Sequence, residues 1–220
     1  MNTCFIIEDQ MDKKIDRRIN RTRRQLREAL LALILEKGYE GVTIEEITER
    51  ADLGRTTFYL HYRDKEELLL ESLEEMVADL RSQIYTLPLG SFRISSTSEN
   101  GDDQDANPIA MIFQHAADHA DLYRIILRGE GTARITQHMR EFISNAVSEF
   151  TRIRSARLNV SIQSSVPLVF FSNYFAGSLI GTIAWWLEND MPYSPREIAR
   201  MYQIVLIQGA QQLFGVSPTG

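Results

Sequence analysis

Arg55, Thr56, Thr57, Tyr59, His61 and Lys65 fall within one short stretch of the chain, and together they are a set of donors suited to nucleic acid. An arginine can fork onto a guanine edge, and a threonine can touch a base or the methyl of thymine. Tyr59 and His61 are suited to phosphate oxygens, and Lys65, at the start of a helix with free backbone N–H groups, adds a further phosphate contact. Other chemistry is sparse. His115 and His119, four residues apart, share a helix face at one metal-ligand spacing. No glutamate follows His115 as a metalloprotease helix requires, so two exposed or hydrogen-bonded histidines are expected and no metal. No nucleophile elbow, P-loop, dinucleotide fingerprint or local carboxylate pair appears, so neither an enzyme nor a cofactor is expected.

The donors need a short helix presented with its face and N-terminus free, because only a helix or ribbon fits the major groove. The sequence supplies one. Leu26, Leu30, Leu33 and Ile34 mark one face of a first helix from about Asn20 to Lys37, closed by Gly38. Thr43-Ile44-Glu45-Glu46 is a capping box that opens a second helix, with Ile44, Ile47 and Ala51 turned inward. Asp52-Leu53-Gly54 is a turn, and Arg55 to about Tyr62 is a third helix of barely two turns, with Phe58 and Leu60 as its apolar anchors. This is a helix-turn-helix unit with its motif at about 43–62. Asp64 and Glu67 open a long fourth helix that continues to about Leu87.

Charge is distributed to match. The formal net charge is −6, yet Lys13 to Arg27 holds eight basic residues against the single acid Asp16. A polyanion responds to the local field rather than to the total. Residues 1–19 are therefore read as a flexible basic arm, 20–64 as the DNA-binding domain and 65–220 as a regulatory and dimerisation domain. The segment Met1–Gln10 lacks a basic n-region and has only a short apolar run, so no signal peptide is expected. With Cys4 as the sole cysteine, the chain is read as cytoplasmic.

Behind a Gly/Ser/Asn/Asp-rich loop at 88–107 the remaining chain reads as helical, with helices expected at about Pro108–Ala117, His119–Leu127, Thr132–Arg154, Asn159–Glu188 and Pro195–Phe214. Leu158 to Leu187 carries no charged residue and contains Gly177 and Gly181 as a GxxxG. By composition this is also a membrane-span pattern. Asn159, Gln163 and Asn173 are wasteful in lipid, so a helix buried partly by its own core and partly by a partner is expected, with no membrane. Gly177, Ile180, Gly181, Ala184, Met201, Val205 and Gln208 are the candidate dimer-interface residues. The aromatics Phe113, Tyr123, Phe142, Phe170, Phe171, Tyr174 and Trp186 are candidates for lining a pocket for a small apolar or amphipathic effector.

The stretch RTRRQLREALLALILEKGYEGVTIEEITERADLGRTTFYLHYRDKEELL, Arg21 to Leu69, resembles the DNA-binding domain of the tetracycline-repressor-like (TetR) family. Its landmarks are Gly38-Tyr39, Thr43, Ile47, Ala51-Asp52-Leu53, the run Thr57 to Tyr62, and Asp64 to Leu68. The tail from Trp185 resembles one subgroup of the family's C-terminal domains. The resemblance implies that Thr43, Tyr59, His61 and Lys65 grip phosphates and that Arg55, Thr56 and Thr57 face bases. Arg21, Arg23 and Tyr62 complete the candidate DNA-binding set. It also implies an all-α protein: a three-helix DNA-binding domain joined by the long fourth helix to a helical bundle for ligand binding and dimerisation. The expected function is that of a homodimeric regulator, usually a repressor in this family, on a pseudo-palindromic operator. The alternative is a co-activator or protein-interaction partner with little DNA affinity. Two departures stand out: Asp52 occupies a position where the family commonly has glycine, and the basic arm before Arg21 is longer than usual.

Overall fold

The computed structural model describes the backbone at residues 3–87, 107–128, 133–158 and 166–214, and side chains at 17–87, 107–127, 133–157 and 166–206. Every element among them is an α-helix: α1 Thr3–Lys37, α2 Ile44–Arg50, α3 Arg55–Tyr59, α4 Lys65–Met76, α5 Ala78–Thr86, α6 Pro108–Asp118, α7 Ala120–Arg128, α8 Ala133–Leu158, α9 Leu168–Glu188 and α10 Pro195–Phe214. They divide into two compact units, Met1–Met76 and Val77–Gly220.

In the first unit α1 buries Leu26, Ala29, Leu30, Leu33 and Ile34 against α2 and α4. Ile47 from α2, Phe58 from α3 and Leu68, Leu69 and Leu73 from α4 close the same core. Side chains of this size contribute about 1.5–3 kcal/mol each when fully buried. Gly38 ends the helical run of α1 at φ +76°, a conformation open to glycine and unfavourable to most L-residues. Thr43 then caps α2 in a complete capping box: its hydroxyl accepts from Glu46 N–H at 3.3 Å, and Glu46 Oε2 accepts from Thr43 N–H at 2.9 Å.

Three expectations are corrected here. The segment before Asn20 belongs to α1 rather than to a flexible arm, because no glycine or proline between Thr3 and Lys37 interrupts the helix. The long fourth helix is two helices, with Val77 between them at ψ −2°, off the helical ladder. The first unit therefore ends at Met76 and not at Asp64: the apolar face of α4 is needed to complete its core.

In the second unit α6 packs on α10, while α7 and α8 pack on α9. Trp186, fully buried, meets Phe113 edge-on with centroids 5.5 Å apart and donates its indole N–H to Tyr193 O at 2.9 Å. Asn107 caps α6 ahead of Pro108, and Ser194 with Glu197 caps α10 ahead of Pro195. The helix expected to run unbroken from Asn159 does not do so. Pro167, which has no N–H to give to a helix, stands as the N-cap of α9, and the expectation at 159–165 lies outside the described residues, as does the loop at 88–106.

Candidate nucleic-acid interface

The turn between α2 and α3 sets how α3 is presented. Leu53 N–H reaches back to Thr48 O at 2.9 Å, and Asp52 takes a left-handed conformation, φ +54°. An aspartate tolerates this better than most residues, though less well than glycine. The difference flagged from sequence at this position is thus a strained aspartate within a turn of ordinary geometry. Gly54, the N-cap of α3, contributes no side chain, which leaves the start of the helix uncovered.

From there α3 splits into an inner and an outer face. Phe58 is fully buried and Tyr62 only 3% exposed, whereas Arg55, Thr56, Tyr59 (55%) and Leu60 (77%) are exposed. Thr57 and His61, four residues apart, are half-buried along the border. Arg55, Thr56, Thr57, Tyr59 and His61 are thus brought to one surface, with Thr43 exposed at the start of α2. Leu60 points away from the core, so its expected role as an anchor beside Phe58 is wrong: a residue two places from a buried one on a helix lies across from it.

Tyr62 does not belong to that surface. Its hydroxyl donates to Glu71 Oε1 at 3.1 Å, and burial, followed by the charge of Glu71, raises its pKa. Arg23 is half-buried beside it, donating to the same Glu71 oxygen at 3.4 Å with its guanidinium 6.0 Å from the Tyr62 ring. Both residues, expected on DNA, instead tie α1, α4 and the end of α3 together. Lys65 behaves similarly. Its ammonium donates to the carbonyls of Tyr39 at 3.0 Å and Val42 at 2.9 Å, with Glu40 O at 3.4 Å, and it lies 4.5 Å from the Tyr39 ring centroid. Through these bonds Lys65 clips the 39–42 turn to α4. Burial raises the neighbouring Tyr39 phenol to about 12. Arg21 remains exposed, together with Arg17, Arg18 and Arg24.

Glu71 is the residue that sequence reasoning missed. It lies 48 positions from Arg23 and 9 from Tyr62, and no local pattern links them.

The aromatics proposed for a pocket have different surroundings. Phe113, Tyr123 and Trp186 are core, and Phe142 lies under Arg81, 5.7 Å from ring to guanidinium. Phe171 is half-buried, whereas Phe170 and Tyr174 are exposed on α9. A groove of about 320 Å³ does run between α9 and α10, lined among others by Tyr174, Ser178, Trp185, Met201 and Val205. Beside it Gly177 and Gly181 are exposed, with open space where a Cβ would stand, and Ile180 and Ala184 are half-buried. Gln208 has no described side chain. His115 and His119 have ring centroids 4.7 Å apart, with His115 Nδ1 3.4 Å from the Tyr123 hydroxyl. No group of three or more candidate metal ligands occurs among the described residues.

Comparison with known proteins follows the division into units. Residues 26–72 match the model for bacterial regulatory proteins of the tetR family, and residues 106–208 match a transcriptional regulator C-terminal region. The helix-turn-helix-type transcriptional regulator BetI of Escherichia coli (strain UTI89) is 30% identical over 138 residues, 59% of this chain and 68% of BetI. The chain belongs to the TetR family of bacterial transcriptional regulators. Its similarity to this family extends through both units. The helix-turn-helix-type transcriptional regulator YxbF of Bacillus subtilis (strain 168) is 26% identical over 196 residues, 89% of this chain. The match covers 47% of YxbF, so the chain spans about half the length of that relative. Among solved structures, the TetR-family repressor FadR of Thermus thermophilus, in complex with lauroyl-CoA, superimposes with a TM-score of 0.60 at 19% identity. That superposition covers 90% of this chain and 98% of FadR, a likeness of fold.

Proposed function

We propose that this TetR-family protein is a sequence-specific DNA-binding transcriptional regulator, a repressor, that binds a two-fold symmetric operator as a homodimer. The observation that carries this reading is the outer face of α3: Arg55, Thr56 and Tyr59 stand exposed on a helix whose Phe58 is locked into a packed core, as is Tyr62 just beyond it. A rigid, shallow, donor-rich helix is what the major groove accepts. In this reading Arg55, Thr56 and Thr57 face bases, and Thr43, Tyr59 and His61 hold phosphate oxygens. The exposed arginines of α1, Arg21 among them, add backbone contacts and a salt-dependent attraction.

One short helix reads only a few base pairs, and pairing across a symmetry axis doubles the site. The exposed apolar side of α9 and α10 supplies the pairing surface: Gly177 and Gly181 let a second copy approach closely, and Met201 and Val205 flank them. By length and composition α9 is also long and apolar enough to cross a membrane. The pairing role accounts for its exposed side without one, and a cytoplasmic location follows.

An effector, small and apolar or amphipathic, is proposed for the second unit, and the acyl-CoA complex of FadR supports that chemical class. Such a ligand changes DNA affinity only through its differential affinity for the DNA-competent and incompetent states.

In vitro selection from a randomised duplex library tests the proposal. Enrichment of a two-fold symmetric sequence is expected. Failure to enrich any sequence would favour a protein-partner role with little DNA affinity.

A further inference from the structure

The side chains of α3 sort by the helical repeat, in which residues four apart stand one above the other. Leu60 follows Thr56 at this spacing, and its N–H donates to Thr56 O at 3.1 Å, so the helical register holds through it. The outer face therefore reads Arg55, Thr56, Tyr59 and Leu60, and Leu60 is 77% exposed. A single exposed leucine is ordinary on a protein surface. Its place, on the side of the short helix that carries the donors, distinguishes this one. Arg55, Tyr59 and Arg63, near it in sequence, are also exposed and bear polar groups. Leucine has neither donor nor acceptor and cannot read the hydrogen-bonding pattern of a base edge. The one apolar group that distinguishes a base pair in the major groove is the C5 methyl of thymine.

We propose that Leu60 is a specificity-determining residue that contacts a thymine methyl group in each half-site, next to the bases faced by Arg55 and Thr56. The inference rests on the DNA-binding reading above and adds a named chemical group to it. Thr56 supplies a polar contact on one turn and Leu60 an apolar contact on the next.

The test uses the full chain and a duplex that it selects from a randomised library. Each thymine in turn is replaced by deoxyuridine, which removes only the methyl group. For the wild-type protein, one position per half-site should lose about fourfold in affinity, the factor corresponding to one buried methyl group. For Leu60→Ala the deoxyuridine and thymine duplexes should bind alike at that position. The side chain is exposed, so the variant should keep its thermal midpoint, which is measured alongside. Insensitivity of the wild-type protein at every thymine, or an undiminished loss in Leu60→Ala, overturns the assignment and leaves the DNA-binding reading standing. Failure to select any sequence overturns both.

Discussion

The Tyr62 hydroxyl donates to Glu71 Oε1 at 3.1 Å, and the same oxygen accepts from Arg23 Nη1 at 3.4 Å. A single carboxylate on α4 thus fastens both α1 and Tyr62, just beyond the end of α3. The Arg27–Glu75 ion pair joins the same two helices one turn further along. Arg23 Nε is buried with no hydrogen-bond partner among the described residues.

Tyr62→Phe keeps the ring in the core and removes only the bond. It should lower the stability of the first unit by about 1–2 kcal/mol, the range for a hydrogen bond to a charged acceptor that retains another donor. DNA affinity should fall with it, because the far end of α3 is released. Thermal melts and binding isotherms on the same variant check both. An unchanged melt would mean that the bond does not contribute.

Glu46 is held down to about 2, first by its bond from Lys37 and then by the Thr43 backbone and side chain. A depressed carboxylate contributes stability that is present above its unfolded value and is lost as pH falls through the folded one. The wild-type melting temperature should therefore exceed that of Glu46→Gln above about pH 4.5, and the gap should close toward about pH 2. A gap that is constant with pH would assign the effect to geometry rather than to charge.

Asp52 sits at φ +54° in the turn ahead of α3. Asp52→Gly relieves that conformation at some cost in unfolded-state entropy, and a net gain of about 0.5 kcal/mol is predicted. Denaturant titration measures it, and a destabilised variant would mean that the aspartate side chain stabilises the turn.

These features differ in how far they could be read from the sequence. The capping box at Thr43/Glu46 is legible because all its atoms lie within four residues. The donor face of α3 was legible because it follows the helical repeat. Leu60 was misread because its apolar character was weighed before its position relative to Phe58. The partners of Tyr62, Arg23 and Lys65 are illegible for a different reason. A donor looks the same in sequence whether it faces water or a carbonyl, and the acceptors of Lys65 lie 23 to 26 residues upstream. The run before Asn20 was judged by its charge, when the absence of any helix breaker was the better guide.

Apart from its chain neighbours and its own helical backbone, nothing lies within 4 Å of the place a Cβ on Gly177 would occupy. Gly177→Leu should therefore leave the protomer fold intact and even favour the helix, yet block a second copy from approaching. Sedimentation velocity should show a dimer for the wild-type protein and a monomer for the variant. A dimer for both would place the pairing surface elsewhere.

Fluorescence anisotropy of the full chain across a salt series shows whether α3 reads DNA. Two labelled duplexes are compared, the selected sequence and an unrelated one of equal length. A preference of at least about a thousandfold for the first is expected, with affinity falling steeply as salt rises. Arg55→Ala should cost about 1–3 kcal/mol on the selected duplex alone. Equal, weak binding of the wild-type protein to both duplexes would contradict that role of α3.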